Sequence, residues 1–342
     1  METRKVQRLG PSTLAMTLPA EWASEHDVDK GDEVSIRMGG TGTLTVLPES
    51  ANTEESEATI YADNLDSDAV ERAIVAQYVL GRRVIHVESD GPLGSDHINA
   101  VYRAETQLMG LGVIEETPES IAIRCSVDPE DFTLNNLLER LENTGSTMRG
   151  EAVKALAHGN IDLAQRALNR ERQANKIFVL LLRLIFTSYQ NPALTQAVGL
   201  DSGFPLIGYR SVAKNLELTA DNAEDIAEIA LETDGESLAV EQSTMRRIRE
   251  FTDQVDELTA MAVRSLVERD YDLTVDCRRL FRDIGDRESE ILNDLSEMDN
   301  EELLRVREVL VSLQHTAEYA MRNAEIAANL ALNEESEHVD IE

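Results

Sequence analysis

The stretch that decides the fold runs from Gly208 to Glu228 and reads GYRSVAKNLELTADNAEDIAE. It lies within residues 133–331, where the sequence has helical spacing throughout. The segment from Leu216 to Asp221 has a counterpart from Leu313 to Glu318, so this part of the chain repeats itself.

Each repeat is predicted to contain three helices. A second pair of matching segments supports this, because Asn160 to Leu163 corresponds to Asp270 to Leu273. Apolar residues at helical spacing form one core-facing stripe in the first helix: Leu137, Leu138, Leu141, Met148, Ala152 and Leu156. The pattern predicts two three-helix units, residues 133–232 and 239–331, packed side by side as a six-helix bundle.

The quoted stretch resembles the third helix of the PhoU family, and the resemblance extends over both repeats. It implies two tandem three-helix bundles. It also implies a negative regulator linked to a phosphate ABC transporter, whose ATPase subunit the bundle would contact. Some members of that family bind metal clusters through two carboxylates four residues apart, so a metal site is implied as well.

Three carboxylates are the candidate metal ligands: Glu217, Asp221 and, on the preceding helix at an acidic position of the family, Glu171. Carboxylates four residues apart lie on one helical face and repel each other by about 0.2–0.5 kcal/mol per pair unless a cation bridges them. Oxygen ligands suit a divalent metal such as Mg²⁺ or Mn²⁺, or iron. The matching positions of the second repeat hold Gln314, Glu318 and Phe281. Metal is therefore predicted in the first repeat, and the alternative is a solvated acidic face.

Residues 58–126 alternate strand and helix and predict a small α/β module. Its predicted elements are strands Val84–Val87 and Ile121–Ile123 and helices Asp68–Leu80 and Asp96–Leu108. The sequence shows no phosphate loop, metal-ligand spacing or nucleophile motif there, so no chemistry is assigned to this module. The polar, acidic residues 49–57 before it are typical of a linker.

Residues 1–48 are predicted to form a small β-rich domain. Apolar residues alternate along short strands at Leu14–Leu18, Val34–Met38 and Leu44–Val46, and Pro19 opens a short helix. A unit this small cannot bury its own faces, so pairing with a second copy is expected.

This N-terminal sequence resembles the AbrB/SpoVT family. The resemblance rests on the basic start of the chain, on Leu18-Pro19, and on Lys30-Gly31-Asp32-Glu33. It implies a swapped-hairpin barrel made by two chains. It also implies DNA binding by basic residues on one face, here Arg4, Lys5 and Arg8, which can neutralise phosphates. The alternative is a module that only dimerises.

The chain has a formal net charge of −33, and only five of its 32 basic residues are lysine. A large acidic excess with scarce lysine is typical of a protein made for a high-salt cytoplasm. Residues 1–48 hold five basic and seven acidic residues, a net charge of −2, so any DNA contact is expected there. The sequence has no apolar run of about 18 residues, so no membrane span is predicted. The N-terminus lacks an apolar signal core, so export is not predicted and a cytoplasmic location is expected.

Together these patterns predict a multidomain α+β protein: an AbrB-like domain at 1–48, an α/β module at 58–126 and a PhoU-like all-α bundle at 133–331. The predicted function is negative regulation of phosphate uptake and of phosphate-responsive transcription. The protein would act as a homodimer or higher oligomer that contacts DNA and the transporter ATPase. One alternative is a transporter adaptor whose first domain only dimerises. Another is a metal-dependent phosphohydrolase, but no nucleophile, phosphate loop or paired-histidine site supports an enzyme.

Overall fold

The computed structural model describes residues 3–38, 42–48, 56–191, 194–200, 203, 205–295, 300–333 and 338–340. The chain divides into an N-terminal unit, residues 1–56, and a main unit, residues 57–342. The elements of the N-terminal unit are β1 (Gln7–Arg8), β2 (Leu14–Ala15), α1 (Ala20–Glu25), β3 (Val34–Met38) and β4 (Leu44–Pro48). β1 pairs with β2 and β3 pairs with β4, both antiparallel.

The N-terminal unit has the strands and the short helix that the sequence predicts. Pro19 precedes α1 as its N-cap residue, where a fixed φ suits the start of a helix. The predicted strand Leu14–Leu18 is shorter than expected and ends at Ala15. Of the predicted linker, residues 49–55 lie outside the described residues, and Glu57 already belongs to a strand of the main unit.

The described side chains of the N-terminal unit form no buried apolar core. Seven large apolar side chains are between 50% and 88% exposed: Val6, Leu9, Leu14, Met16, Ile36, Met38 and Leu44. The described strands of this unit form two separate two-stranded sheets, so one chain alone does not close the predicted barrel. Apolar surface left in water is unfavourable, and covering it is the main driving force for association.

The main unit begins with a four-stranded sheet and two helices. The elements are β5 (Glu57–Tyr61), α2 (Ser67–Val79), β6 (Val84–Glu88), α3 (Ser95–Gln107), β7 (Leu111–Glu116) and β8 (Ser120–Cys125). The strand order is β5-β6-β8-β7, with β5 parallel to β6 and the other pairs antiparallel. The predicted strands and helices are present, and β5 and β7 are strands that the sequence analysis missed.

Arg183 attaches this α/β part to the bundle. It lies in an apolar run of its helix, and its side chain is buried. The guanidinium donates to the carbonyl oxygens of Tyr78, Gly81 and Arg82 at the C-terminal end of α2. It also lies 4.8 Å from the centre of the Tyr78 ring. A charged group is tolerated in this interior because several acceptors surround it.

The rest of the main unit is the predicted pair of three-helix repeats. The helices are α4 (Leu134–His158), α5 (Ile161–Gln190), the short α6 (Leu194–Ala197), α7 (Leu206–Glu232), α8 (Gln242–Glu268), α9 (Tyr271–Asp294) and α10 (Asn300–Ala331). The first repeat contains α4, α5 and α7, and the second contains α8, α9 and α10. This confirms the six-helix bundle.

The matching segments of the two repeats are equivalent helix starts. The Asn160 side chain accepts a hydrogen bond from the Leu163 amide at 3.1 Å, and Asp270 accepts one from Leu273 at 3.2 Å. The residue before each N-cap has a left-handed backbone conformation, with φ of 60° at Gly159 and 52° at Arg269. The repeat in sequence is therefore a repeat of one helix–turn–helix geometry.

Two hydrophobic cores hold the main unit together. The predicted apolar stripe of α4 is buried along its whole length. Residues of the α/β part and of the first repeat, such as Ile85 and Leu180, share one core. A second core, which includes Ile226 and Phe251, joins the two repeats. Among the described residues, no helix is long and apolar enough to cross a membrane.

Candidate functional site

The three predicted metal ligands lie on helices α5 and α7, close enough for their charges to affect one another. Glu171 lies on α5, Glu217 and Asp221 lie one turn apart on α7, and all three are half-buried. Burial is the largest cause of a raised pKa at Glu171 and at Asp221, and the charge of Glu217 raises both pKa values further. The pKa of the Asp221 carboxyl rises from 3.8 to about 6. The predicted cluster is therefore assembled as a group of interacting carboxylates.

Lys214 neutralises part of this cluster. Its Nζ forms an ion pair with Glu217 one turn along α7, and it lies 5.5 Å from the centre of the Phe178 ring. The positive charge of Lys214 also lowers the pKa of Asp221, against the larger effects of burial and of Glu217. The lysine thus places one positive charge against the predicted ligand Glu217.

Glu224 is a member of the acidic cluster that the sequence analysis missed. Burial is the main cause of its raised pKa, and the charges of Glu171, Glu228 and Asp221 add to it. Two other carboxylates of α7, Asp225 and Glu228, are exposed.

The described arrangement does not itself form a metal centre. No group of three or more His, Cys, Asp or Glu side chains in the described part of the chain is placed to hold a metal ion. Glu217, the central predicted ligand, is bound by Lys214. The site does not fit a divalent cation while that ion pair is closed. The metal site stays a prediction.

The second repeat is different at the matching positions. Phe281 packs against the second hydrophobic core, and the Oε1 atom of Gln314 is buried without a hydrogen-bond partner among the described residues. Glu318 lies 3.9 Å from Arg322. The Glu288 carboxyl, which the sequence analysis did not select, has a pKa raised by burial and then by the charge of Glu318. Glu288 and Glu318 are thus two carboxylates of the second repeat whose charges interact.

A buried polar network at the contact between the two repeats was also missed. The Arg149 side chain of α4 is fully buried; its Nε donates to Asp256 Oδ1 of α8 at 2.7 Å, and its Nη2 donates to Thr259 Oγ1 at 3.2 Å. Thr259 also donates to Glu142 Oε1 at 3.3 Å. Burial raises the pKa of Glu142 and of Asp256, and the charge of Arg149 opposes this. The signal in the sequence is a charged pair, Glu142 and Arg149, at core spacing in α4.

The predicted DNA-binding residues lie at the start of the N-terminal unit. Arg8 belongs to β1, and Arg4 and Lys5 precede that strand. All three side chains are exposed. Exposed basic groups are accessible to phosphates, which is compatible with the predicted role. Their role in DNA binding stays a prediction.

The fold defines the class of this protein: a tandem pair of three-helix bundles carrying an α/β layer, with a small β-rich N-terminal unit. Family profiles match two parts of the sequence. Residues 138–230 match the family profile described as the PhoU domain. Residues 7–54 match the profile described as "Antidote-toxin recognition MazE, bacterial antitoxin". No curated protein sequence is a significant match to the chain.

Solved structures with similar folds include three PhoU or PhoU-like proteins. PhoU from Pseudomonas aeruginosa has a TM-score of 0.48 and 19% identity, over 58% of this chain and 94% of that one. The phosphate transport system regulatory protein PhoU from Streptococcus pneumoniae has a TM-score of 0.49 and 14% identity, over 61% and 96%. A PhoU-like protein from Shewanella oneidensis has a TM-score of 0.44 and 14% identity, over 60% and 99%.

Proposed function

We propose that this chain is a negative regulator of phosphate uptake that acts in the cytoplasm on the ATPase subunit of a phosphate ABC transporter. The match of residues 138–230 to the PhoU domain carries the proposal. That segment spans most of the first repeat, and the second repeat has the same helix order and the same caps. The proposed role is regulatory, and no catalytic step is assigned to any residue.

The proposal includes a second output, which is phosphate-responsive transcription. The match of residues 7–54 to a MazE-type domain and the exposed residues Arg4, Lys5 and Arg8 support DNA binding by the N-terminal unit. The exposed apolar side chains of that unit support pairing with a second copy, because association would cover them. Two copies would present two sets of basic residues to one DNA duplex.

A second candidate is a transporter adaptor whose N-terminal unit only dimerises. The charge of the chain favours it, since the net charge of −33 repels DNA. The two candidates agree about the transporter and differ only about DNA. They can therefore be separated by measuring both partners in the same cells.

The test is affinity capture of the chain combined with chromatin immunoprecipitation and sequencing, both at the native salt concentration. The matched control is the same chain without the N-terminal unit. The proposal expects the full chain to retain the phosphate transporter ATPase and to occupy promoters of phosphate-uptake genes. The control should retain the ATPase and lose the promoters. Retention of the ATPase without promoter occupancy by either chain would favour the adaptor, and the absence of both would contradict the proposal.

A further inference from the structure

A cavity of about 760 Å³ lies at the junction of the two repeats. Its walls are the end of α4, the connector that follows α7, and the first turns of α8. Three of the residues that line it are basic, His158, Arg246 and Arg249, and none of the lining residues is Asp or Glu. Acidic residues outnumber basic ones by 65 to 32 in this chain, so a cavity with only basic charges is unusual for it.

The basic groups of the cavity have no anionic partner in the part of the chain that the structure describes. Nη2 of Arg249 lies 3.0 Å from Nε2 of His158, so the histidine accepts this hydrogen bond as a neutral imidazole. The Nε atom of Arg249 is buried and has no hydrogen-bond partner among the described residues. Neither Arg246 nor Arg249 forms an ion pair with a described carboxylate. A buried donor without an acceptor costs free energy, and an anion in the cavity would supply the acceptor.

The start of α8 adds further donors. α8 begins at Gln242, and the first amide groups of a helix have no partners within it and carry the positive end of its dipole. Its N-cap residue, Glu241, makes no side-chain capping hydrogen bond. Ser237 and Ser243 line the cavity, and the Ser243 hydroxyl donates to Glu241 Oε2 at 3.0 Å. Glu241 does not line the cavity, and rotation of the Ser243 hydroxyl would turn this donor inward.

We propose that this cavity binds a small molecule through a phosphate group. Arginine forks and a helix N-terminus together suit phosphate oxygens. The volume is in the range of small-molecule sites, and apolar side chains such as Leu238, Val240 and Met245 line the remainder. Inorganic phosphate and the phosphate group of a nucleotide share this chemistry. The inference extends the proposed function by naming its ligand class, and it places the ligand against both repeats at once.

The experiment is calorimetric titration of the full chain with two probes, inorganic phosphate alone and ATP alone, at constant potassium chloride. The test variant is Arg246→Gln with Arg249→Gln. The matched control is Arg282→Gln, which removes one exposed positive charge on α9 outside the cavity. The parent and the control should bind one equivalent of a probe. The test variant should bind it at least about tenfold more weakly, because charge-assisted hydrogen bonds are lost.

The two probes identify the source of the phosphate group. Binding of phosphate alone assigns the site to the inorganic ion, and binding of ATP but not of phosphate assigns it to a phosphate ester. Failure of both probes to bind the parent would overturn the inference. Equal affinity of the test variant and of Arg282→Gln would also overturn it. If the double variant loses its folded circular dichroism signal, Arg246→Gln alone decides, because Arg246 is exposed and its removal breaks no described contact.

This binding assay is independent of the cellular role. Regulation of phosphate uptake without binding of either probe would refute the cavity and leave the proposed function intact. If the parent binds a probe, the double variant does not, and the parent has no effect on phosphate uptake, then the cavity is supported and the proposed function is refuted.

Discussion

Replacing Arg149 with methionine should destabilise the main unit strongly. The side chain is 1% exposed and holds Asp256 at 2.7 Å, and its charge also reaches Glu142. Methionine keeps most of the volume, so the change removes the charge and leaves two buried carboxylates without a cation. Removing one partner of a buried ion pair lowers the free energy of unfolding by about 3–5 kcal/mol. A loss of about 3 kcal/mol is expected here because the Asp256 side chain is 22% exposed.

The pH dependence of this loss has a definite sign. The pKa values of Glu142 and Asp256 are raised in the folded chain. An acid with a raised folded pKa contributes stability below its ordinary pKa, and the contribution is lost as the pH rises through the folded pKa. Without Arg149 both pKa values rise further. The deficit of Arg149→Met should therefore be largest at neutral pH and should shrink as the pH falls.

The assay is urea unfolding of the full chain between about pH 5 and pH 8, followed by circular dichroism. The matched control replaces the whole network, with Arg149→Met, Asp256→Leu and Glu142→Leu in one chain. Replacing a complete buried ion network by apolar residues is often neutral or stabilising, so this variant should lie within about 1 kcal/mol of the parent or above it. A deficit of Arg149→Met below about 1 kcal/mol, or one that does not change with pH, would refute the reasoning.

Three further predictions concern the N-terminal unit and the acidic cluster. Removal of the N-terminal unit should reduce the number of copies per particle in light scattering, because the exposed apolar side chains of that unit are then absent; an unchanged number would place the interface elsewhere. Changing Arg4, Lys5 and Arg8 to alanine should weaken DNA binding and reduce the salt slope by about 0.9 per lost phosphate contact; an unchanged operator affinity would show that another face binds DNA. Elemental analysis should find any bound divalent metal or iron in the parent and none in the variant Glu217→Gln with Asp221→Asn; metal retained by that variant would contradict a first-repeat site.

The helical architecture could be predicted because its causes are local. Apolar residues at helical spacing and polar residues at N-cap positions are both visible in a single segment. The same apolar spacing and N-cap residues recur in the second half of the chain, which supports the prediction of two three-helix units. The strand β7 was harder to predict, because Gly112 interrupts it and a register shift between Val113 and Glu115 breaks the alternation.

The details of the sites could not be predicted because their causes are distant in sequence. Arg183 is explained only by carbonyl groups about a hundred residues earlier in the chain, and Arg149 only by Asp256 and Thr259 of the other repeat. The basic cavity depends in the same way on His158 and Arg249, which lie on different repeats. Sequence reasoning identified the acidic face of α7 but could not show that Lys214 binds one of its carboxylates.

The most direct test of the central claim is the rate of radiolabelled phosphate uptake by cells that lack this chain, with and without the gene restored. The proposed function predicts that cells without the chain keep importing phosphate rapidly in phosphate-rich medium, and that the restored gene returns uptake to its low level. Equal uptake rates in the two strains, in both phosphate-rich and phosphate-poor medium, would contradict a role in phosphate regulation.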